Sequence, residues 1–234
     1  MGLTEGYTSE DVMKLIGQGW QYKVYDIGDN RVLKVERPRL QHYAFGLWEW
    51  LVEEDERKNR LTSVFERMRR LHLMNRESVR YLKQIENFLD KRLLGNPTFL
   101  EGADYEQDKV TIVAECVHEL SVNDLKKIVD KYTDLILKTW QYGFSDVTFN
   151  WNTNNGFNSL GDLVQVDFGE LVLSGEMMEN IIRNRKWMGC AGELVLGNEE
   201  LKKYYRSAMN EQISLSNLVA LWGTKLVTDR DDSP

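Results

Sequence analysis

The chain has 234 residues, 42% of them hydrophobic and 29% charged, which suits one large domain or two small lobes sharing a cleft. A formal net charge of −7 argues against a general DNA- or RNA-binding role. No apolar run approaches the roughly 20 residues of a membrane span, and the polar, acidic stretch Met1–Asp11 does not read as a signal peptide.

Along the chain, Leu15 to Tyr25 reads as strand, glycine turn and strand. Asp26-Ile27-Gly28-Asp29-Asn30 is rich in turn residues, and Arg31 to Val35 reads as a further strand, ended by Pro38. Residues 39–94 are mostly helical in composition. Within them Glu53–Arg60 is a mixed charge run, read as a solvated face or a helix–helix connection. Arg67, Arg69 and Arg70 fall close together and are read as a solvated helix face, with a local basic face as the alternative. Val79, Leu82, Leu89 and Leu93 share one helical stripe, with Glu86 on the same stripe. Gly95-Asn96-Pro97 breaks the helix. Thr98–Leu100 and Val110–Ala114 then look like a strand pair around a polar loop, Gly102 to Lys109. Strands so close in sequence suit an antiparallel sheet.

Ser121 to Tyr142 is the clearest helix. Ser121 can cap it, Asp124 suits its first turn, and Leu125, Ile128, Val129, Tyr132, Leu135 and Ile136 form its apolar face up to Gly143. Thr148–Asn152 and Leu163–Val166 suggest two short strands around an Asn154-Asn155-Gly156 hairpin. From Gly175 onward the chain reads as helices, and Asp229–Pro234 as a frayed polar tail. Cys116 and Cys190 have neither metal-type spacing nor a disulfide framework, which fits a reduced, cytoplasmic setting. His42, His72 and His118 are too scattered for a histidine zinc site or a Ser-His-Asp triad.

Several short signals carry chemistry. Gly17-Gln18-Gly19 followed by Val24 is a turn in which backbone N–H groups can approach a phosphate; alone, such a turn is an ordinary hairpin. Lys34 lies inside an apolar strand, either as an edge residue or as a phosphate cation. Glu86, on an apolar helix face, needs a partner, with Glu77 as the other candidate for the same role. Asp146 lies in a loop after the long helix and precedes Asn150 and Asn152. Asp167-Phe168-Gly169 follows the apolar strand Leu163–Val166.

Taken in this order, the signals resemble the protein-kinase-like superfamily, closest in style to small bacterial kinase-like proteins and aminoglycoside-phosphotransferase relatives. The resemblance spans roughly Ile16 to Gly169, about two-thirds of the chain. It implies an α+β, two-lobed fold: a small antiparallel-sheet lobe, residues 1–117, and a reduced, mainly helical lobe, residues 118–234. It implies ATP and Mg2+ as cofactors and a hydroxyl acceptor, on a protein or a small molecule. Gly17, Gly19 and Val24 would cover the nucleotide, and Lys34, paired with Glu86, would hold the α- and β-phosphates. Val113–Val117 would be the hinge, with Glu115 and Val117 at the adenine. Asp146 would accept or orient the acceptor proton, and Asn150 and Asp167 would bind magnesium, with Asn152 as the alternative to Asn150. The chain departs from the pattern at Tyr22, where the third loop glycine would stand, and at Phe144 and Thr148, which replace a histidine and a lysine; no Ala-Pro-Glu motif follows Gly169. Three functional readings follow: an ATP-dependent phosphotransferase, a pseudokinase-like nucleotide- or partner-binding module, or a helical domain with coincidental motifs.

Overall fold

The computed structural model describes residues 13–19, 21–41, 43, 44, 61–194 and 196–226. The expectations for Met1–Asp11, His42, Glu53–Arg60 and Asp229–Pro234 lie outside the described residues. The protein is α+β, with a five-stranded antiparallel sheet followed by helices and two small sheets.

The large sheet is built from β1 (Lys14–Gln18), β2 (Tyr22–Gly28), β3 (Arg31–Glu36), β4 (Thr98–Phe99) and β5 (Tyr105–Asp108), in the order β1-β2-β3-β5-β4. The expected turn between β2 and β3 is formed by Gly28, Asp29 and Asn30, all at positive φ, the residue types that tolerate it best. Lys34 sits mid-sheet, with Val24 opposite on one side and Tyr105 on the other.

The second strand after the glycine break is β5, inside the segment expected to be a loop. Tyr105 and Gln107 are buried and alternate with the half-buried Glu106 and Asp108. The polar composition conceals that alternation, because the buried Gln107 does not register as apolar. Val110–Ala114, read as the partner strand, divides instead into β6 (Thr111–Ile112) and a helical turn, α2 (Val113–Cys116). The chain therefore leaves the large sheet at Asp108 and crosses to β6 through Lys109–Val110.

Helix α1 (Leu61–Gln84) buries Val64, Met68, His72, Asn75, Val79 and Leu82, steps of four, four, three, four and three along one face. Its polar members tie it down. Asn75 accepts from Tyr22 Oη (2.7 Å) and donates to Glu36 (3.1 Å), and Ser78 Oγ accepts from the Leu171 N–H (3.2 Å). The helix ends at Gln84, before the expected stripe is complete; turns and a 3-10 helix (Lys91–Leu94) carry Ile85, Leu89 and Leu94 into the core.

Helix α3 (Val122–Trp140) follows its expected cap: Ser121 Oγ accepts from Asp124 N–H at 3.2 Å. After it come β7 (Ser145–Asp146), β8 (Asn155–Phe157), β9 (Leu163–Gln165) and β10 (Leu171–Val172). Strands β6, β8 and β9 form one small sheet, and β7 with β10 the other. The β8–β9 turn lies at Asn158–Asp162, not at Asn154–Gly156. Asn158 Oδ1 accepts from the N–H groups of Leu160 and Asp162 (both 2.9 Å), and Gly161 takes φ +79°. Gly156 belongs to the strand, where the crossing segment lies so close that a Cβ would fall 2.5 Å from Val110 Cγ2.

Helices α4 (Gly175–Arg183), α5 (Ala191–Leu194), α6 (Glu199–Gln212) and α7 (Leu215–Leu221) follow among the described residues, as expected from the composition after Gly175. They and α3 enclose a core that includes Trp140, Trp151 and Trp187. A second core joins the large sheet and α1 to Tyr142, Phe144, Phe168 and Leu171, so the segment around Asp167 is anchored to both halves of the molecule. Cys116 and Cys190 are free thiols. Among the described residues no helix is long and apolar enough to cross a membrane.

Candidate functional site

The β1–β2 hairpin forms the roof of a cleft. Gly17 pairs with Val24, and the Gly19 N–H closes the turn on Tyr22 O at 2.9 Å. Arg37, 8% exposed, pins the tip: Nε donates to Gly19 O (2.7 Å) and Nη2 to Gln18 Oε1 (3.1 Å). Among the described residues nothing lies within 4 Å of where a Cβ on Gly19 would point.

Beneath the hairpin is a cavity of about 530 Å³, lined among others by Gly19, Val24, Lys34, Thr153, Asp167 and Glu170. Lys34 Nζ donates to Val166 O at 2.5 Å and lies 5.5 Å from the centre of the Tyr105 ring. Burial lowers its pKa to about 8, against an opposing pull from the Asp167 carboxylate. Phe168, fully buried, stacks on Tyr105 at 4.6 Å between centroids and fixes the turn that aims Asp167. Asp167 Oδ1 accepts from the Gly169 N–H at 3.0 Å. Gly169 is needed there, because a Cβ would fall 1.6 Å from the amide oxygen of buried Gln21.

Asp146 sits on β7 directly opposite Leu171 of β10, which places it near the Asp167 turn. Its carboxylate is 5% exposed and held by three donors. Thr148 N–H and Oγ1 reach Oδ1 (both 2.9 Å), and Asn154 Nδ2 reaches Oδ2 at 3.3 Å. Burial nevertheless raises its pKa to about 6; the three hydrogen bonds oppose that, and the Asp167 charge adds to it. Glu170, half-buried, is pushed up chiefly by burial and then by Asp146 and Asp167, with Arg67 and Arg70 pulling it back down.

Asn154 is the amide between the two aspartates. Its carbonyl accepts from the N–H groups of Val166 (2.8 Å) and Asp167 (3.3 Å), while its side chain donates to Asp146 and Thr148. The expected amides lie elsewhere. Asn150 uses its backbone in the loop, accepting from Asn154 N–H at 3.0 Å, and Asn152 is buried against Ala114. The eight-residue step from Asp146 to Asn154 follows from where the hairpin lies. The turn run Asn158–Asp162 would have shown that the strand begins at Asn155, with Asn154 immediately before it.

Glu86 does not meet Lys34. Because α1 ends at Gln84, Glu86 falls in a turn and pairs with Lys91 at 2.5 Å. Glu77 is exposed, 3.9 Å from Arg80. What α1 contributes to the cleft is Arg67 and Leu71. Glu115 and Val117 also depart from expectation. Val113–Cys116 is helical, Glu115 Oε2 caps the Ile112 N–H (3.3 Å), and the Val117 N–H bonds Val113 O, so the extended hinge backbone is not formed.

Chemically, the cleft offers the cations Lys34 and Arg67 and the carboxylates Asp167 and Glu170 around one space. Among the described residues no group of three or more His, Cys, Asp or Glu side chains is arranged as a metal cage. Asp167 lines the cavity, and the side-chain oxygen of Asn154 accepts from Thr153 Oγ1 at 3.3 Å. Comparison with the models of known protein families and with characterised proteins gives no match.

Proposed function

We propose that the chain is an ATP-dependent phosphotransferase with a kinase-like, two-lobed arrangement. The observation that carries this reading is convergence. Lys34 and Asp167 line one cavity under a glycine hairpin, and Asn154 ties the Asp167 turn to the buried Asp146: its carbonyl accepts from the Asp167 N–H and its side chain donates to Asp146. A merely structural lysine in β3 has no need of an aspartate-bearing turn beneath it.

In this reading Gly19 and Val24 cover the nucleotide and Lys34 neutralises its phosphates. Binding a phosphate restores the charge that burial disfavours on Lys34. Asp167 and Asn154 would hold magnesium, which supplies charge neutralisation for the transferring phosphate. Asp146, with a pKa of about 6, is mainly ionised at neutral pH and able to take the acceptor proton. The acceptor oxygen bonds the terminal phosphorus as the bridging oxygen–phosphorus bond breaks; the proton goes to Asp146 and ADP leaves. The test is transfer from terminally labelled ATP, to water or to the chain itself, in wild type and Asp146→Asn. Turnover should fall about 10²- to 10⁴-fold while ATP affinity stays within about threefold. Equal turnover in the two proteins contradicts the assignment.

A second reading, a nucleotide-binding regulatory module without efficient catalysis, is favoured by one observation. Neither Glu77 of α1 nor Glu86 beyond its end pairs with Lys34: Glu77 lies beside Arg80 and Glu86 pairs with Lys91. Magnesium-dependent ATP binding with no transfer above the Asp146→Asn background would select it.

A further inference from the structure

Thr148 stands where the kinase pattern has a lysine, and its hydroxyl is already engaged with Asp146 and Asn154. The catalytic loop therefore brings no cation of its own to the transferred phosphate. A cation is present on the opposite wall, where α1 lines the cleft with Arg67. Helical geometry sets Arg67, Arg70 and Leu71 on one side of α1, since residues three and four apart are neighbours at about 100° per residue. Arg69, two residues from Arg67, points about 200° away.

Glu170 lines the same cavity as Arg67, and its carboxyl feels the charges of Asp146 and Asp167 in one sense and of Arg67 and Arg70 in the other. The Glu170 carbonyl also accepts from the Val147 N–H, next to Asp146, at 3.3 Å. Lys34 is bonded to Val166 O beside Asp167. Lys34 and Asp167 therefore meet the cavity at the Val166 turn, while Arg67 shares it with Glu170, whose backbone is bonded to the segment after Asp146.

We infer that Arg67 binds the terminal phosphate of the nucleotide, supplying from α1 the charge that the catalytic loop lacks. Lys34 then holds the inner phosphates and Arg67 the one to be transferred. This inference rests on the nucleotide reading of the cleft.

The test compares ATP and ADP binding, with magnesium, by calorimetry on the full chain. Arg67→Ala should weaken ATP about tenfold to a hundredfold, the range of a charge-assisted contact, and ADP less than about threefold. Arg67→Lys should fall between wild type and Arg67→Ala for ATP, and Arg69→Ala should match wild type for both nucleotides. Arg67 is exposed, so the substitution leaves the core intact; if Arg67→Ala nevertheless lowers the melting temperature, Arg67→Gln is used for the same comparison. Unchanged ATP affinity in Arg67→Ala, equal losses for ATP and ADP, or an equal loss in Arg69→Ala would overturn the inference while leaving the nucleotide reading in place. Failure of the wild type to bind ATP would overturn both.

Discussion

Replacing Asp146 with asparagine should make the protein more stable at neutral pH while slowing the proposed phosphoryl transfer. The carboxyl is buried, and its pKa rises from 3.8 to about 6 despite three hydrogen bonds. Holding that group ionised in the folded state therefore costs about 3 kcal/mol at pH 7 and above. Asparagine removes the charge and keeps an oxygen for the Thr148 N–H. It places an amide nitrogen opposite Asn154 Nδ2, losing one long hydrogen bond worth about 1 kcal/mol. The net gain is about 1–2 kcal/mol, or roughly 2–8 °C in melting temperature for a chain of this size. The sign with pH follows from the raised pKa. The folded state holds this proton more tightly than the unfolded state does, so the wild type loses stability as pH rises from about 4 to 6, and the variant does not. The difference between the two proteins should open across that interval and be flat above it. Thermal melts of both at about pH 4, 6 and 8 measure it. A variant less stable than wild type at pH 8, or a difference independent of pH, would refute the reasoning.

Two further outcomes follow from the same geometry. ATP binding at about pH 9 should take up close to one proton, because burial holds Lys34 at about 8 and a bound phosphate returns it towards its ordinary value; calorimetry in buffers of different ionisation enthalpy measures this, and Lys34→Ala should abolish it and weaken binding by roughly 1.5–3 kcal/mol. Asn154→Ala removes a hydrogen bond that lowers the Asp146 pKa, so the acid limb of the pH–rate profile should move to higher pH, whereas a limb that stays put would show that Asp146 does not set it.

How much of this was legible in the sequence depended on whether a local rule matched the tertiary environment. The β2–β3 turn, the Ser121 cap and the strand leading to Asp167 were readable, because each is decided by residues adjacent to it. β5 was hidden, because burial of Gln107 is a property of the assembled sheet and not of a polar side chain. Glu86 was misplaced because its stripe skips from Leu82 to Leu89, and the helix stops inside that gap. Val113–Ala114 looked extended from its β-branched and apolar residues, yet the Ala114 N–H is taken by Asn152 O and the chain coils. Asn154 was overlooked because a run of asparagines invited a turn at the wrong place. Arg67 was read as part of a solvated face, since only the packing of α1 beside β10 directs one of the three arginines into the cleft.

The central claim is that Lys34, Asn154 and Asp167 form a magnesium–nucleotide site, and calorimetric titration of ATP with and without magnesium into wild type and Asp167→Ala tests it most directly. The account predicts that wild type binds ATP only weakly without magnesium and at least about tenfold more tightly with it, and that Asp167→Ala loses the magnesium-dependent gain while remaining folded. Absence of binding by the wild type at millimolar ATP and magnesium, or the same magnesium-dependent gain in Asp167→Ala, would contradict it.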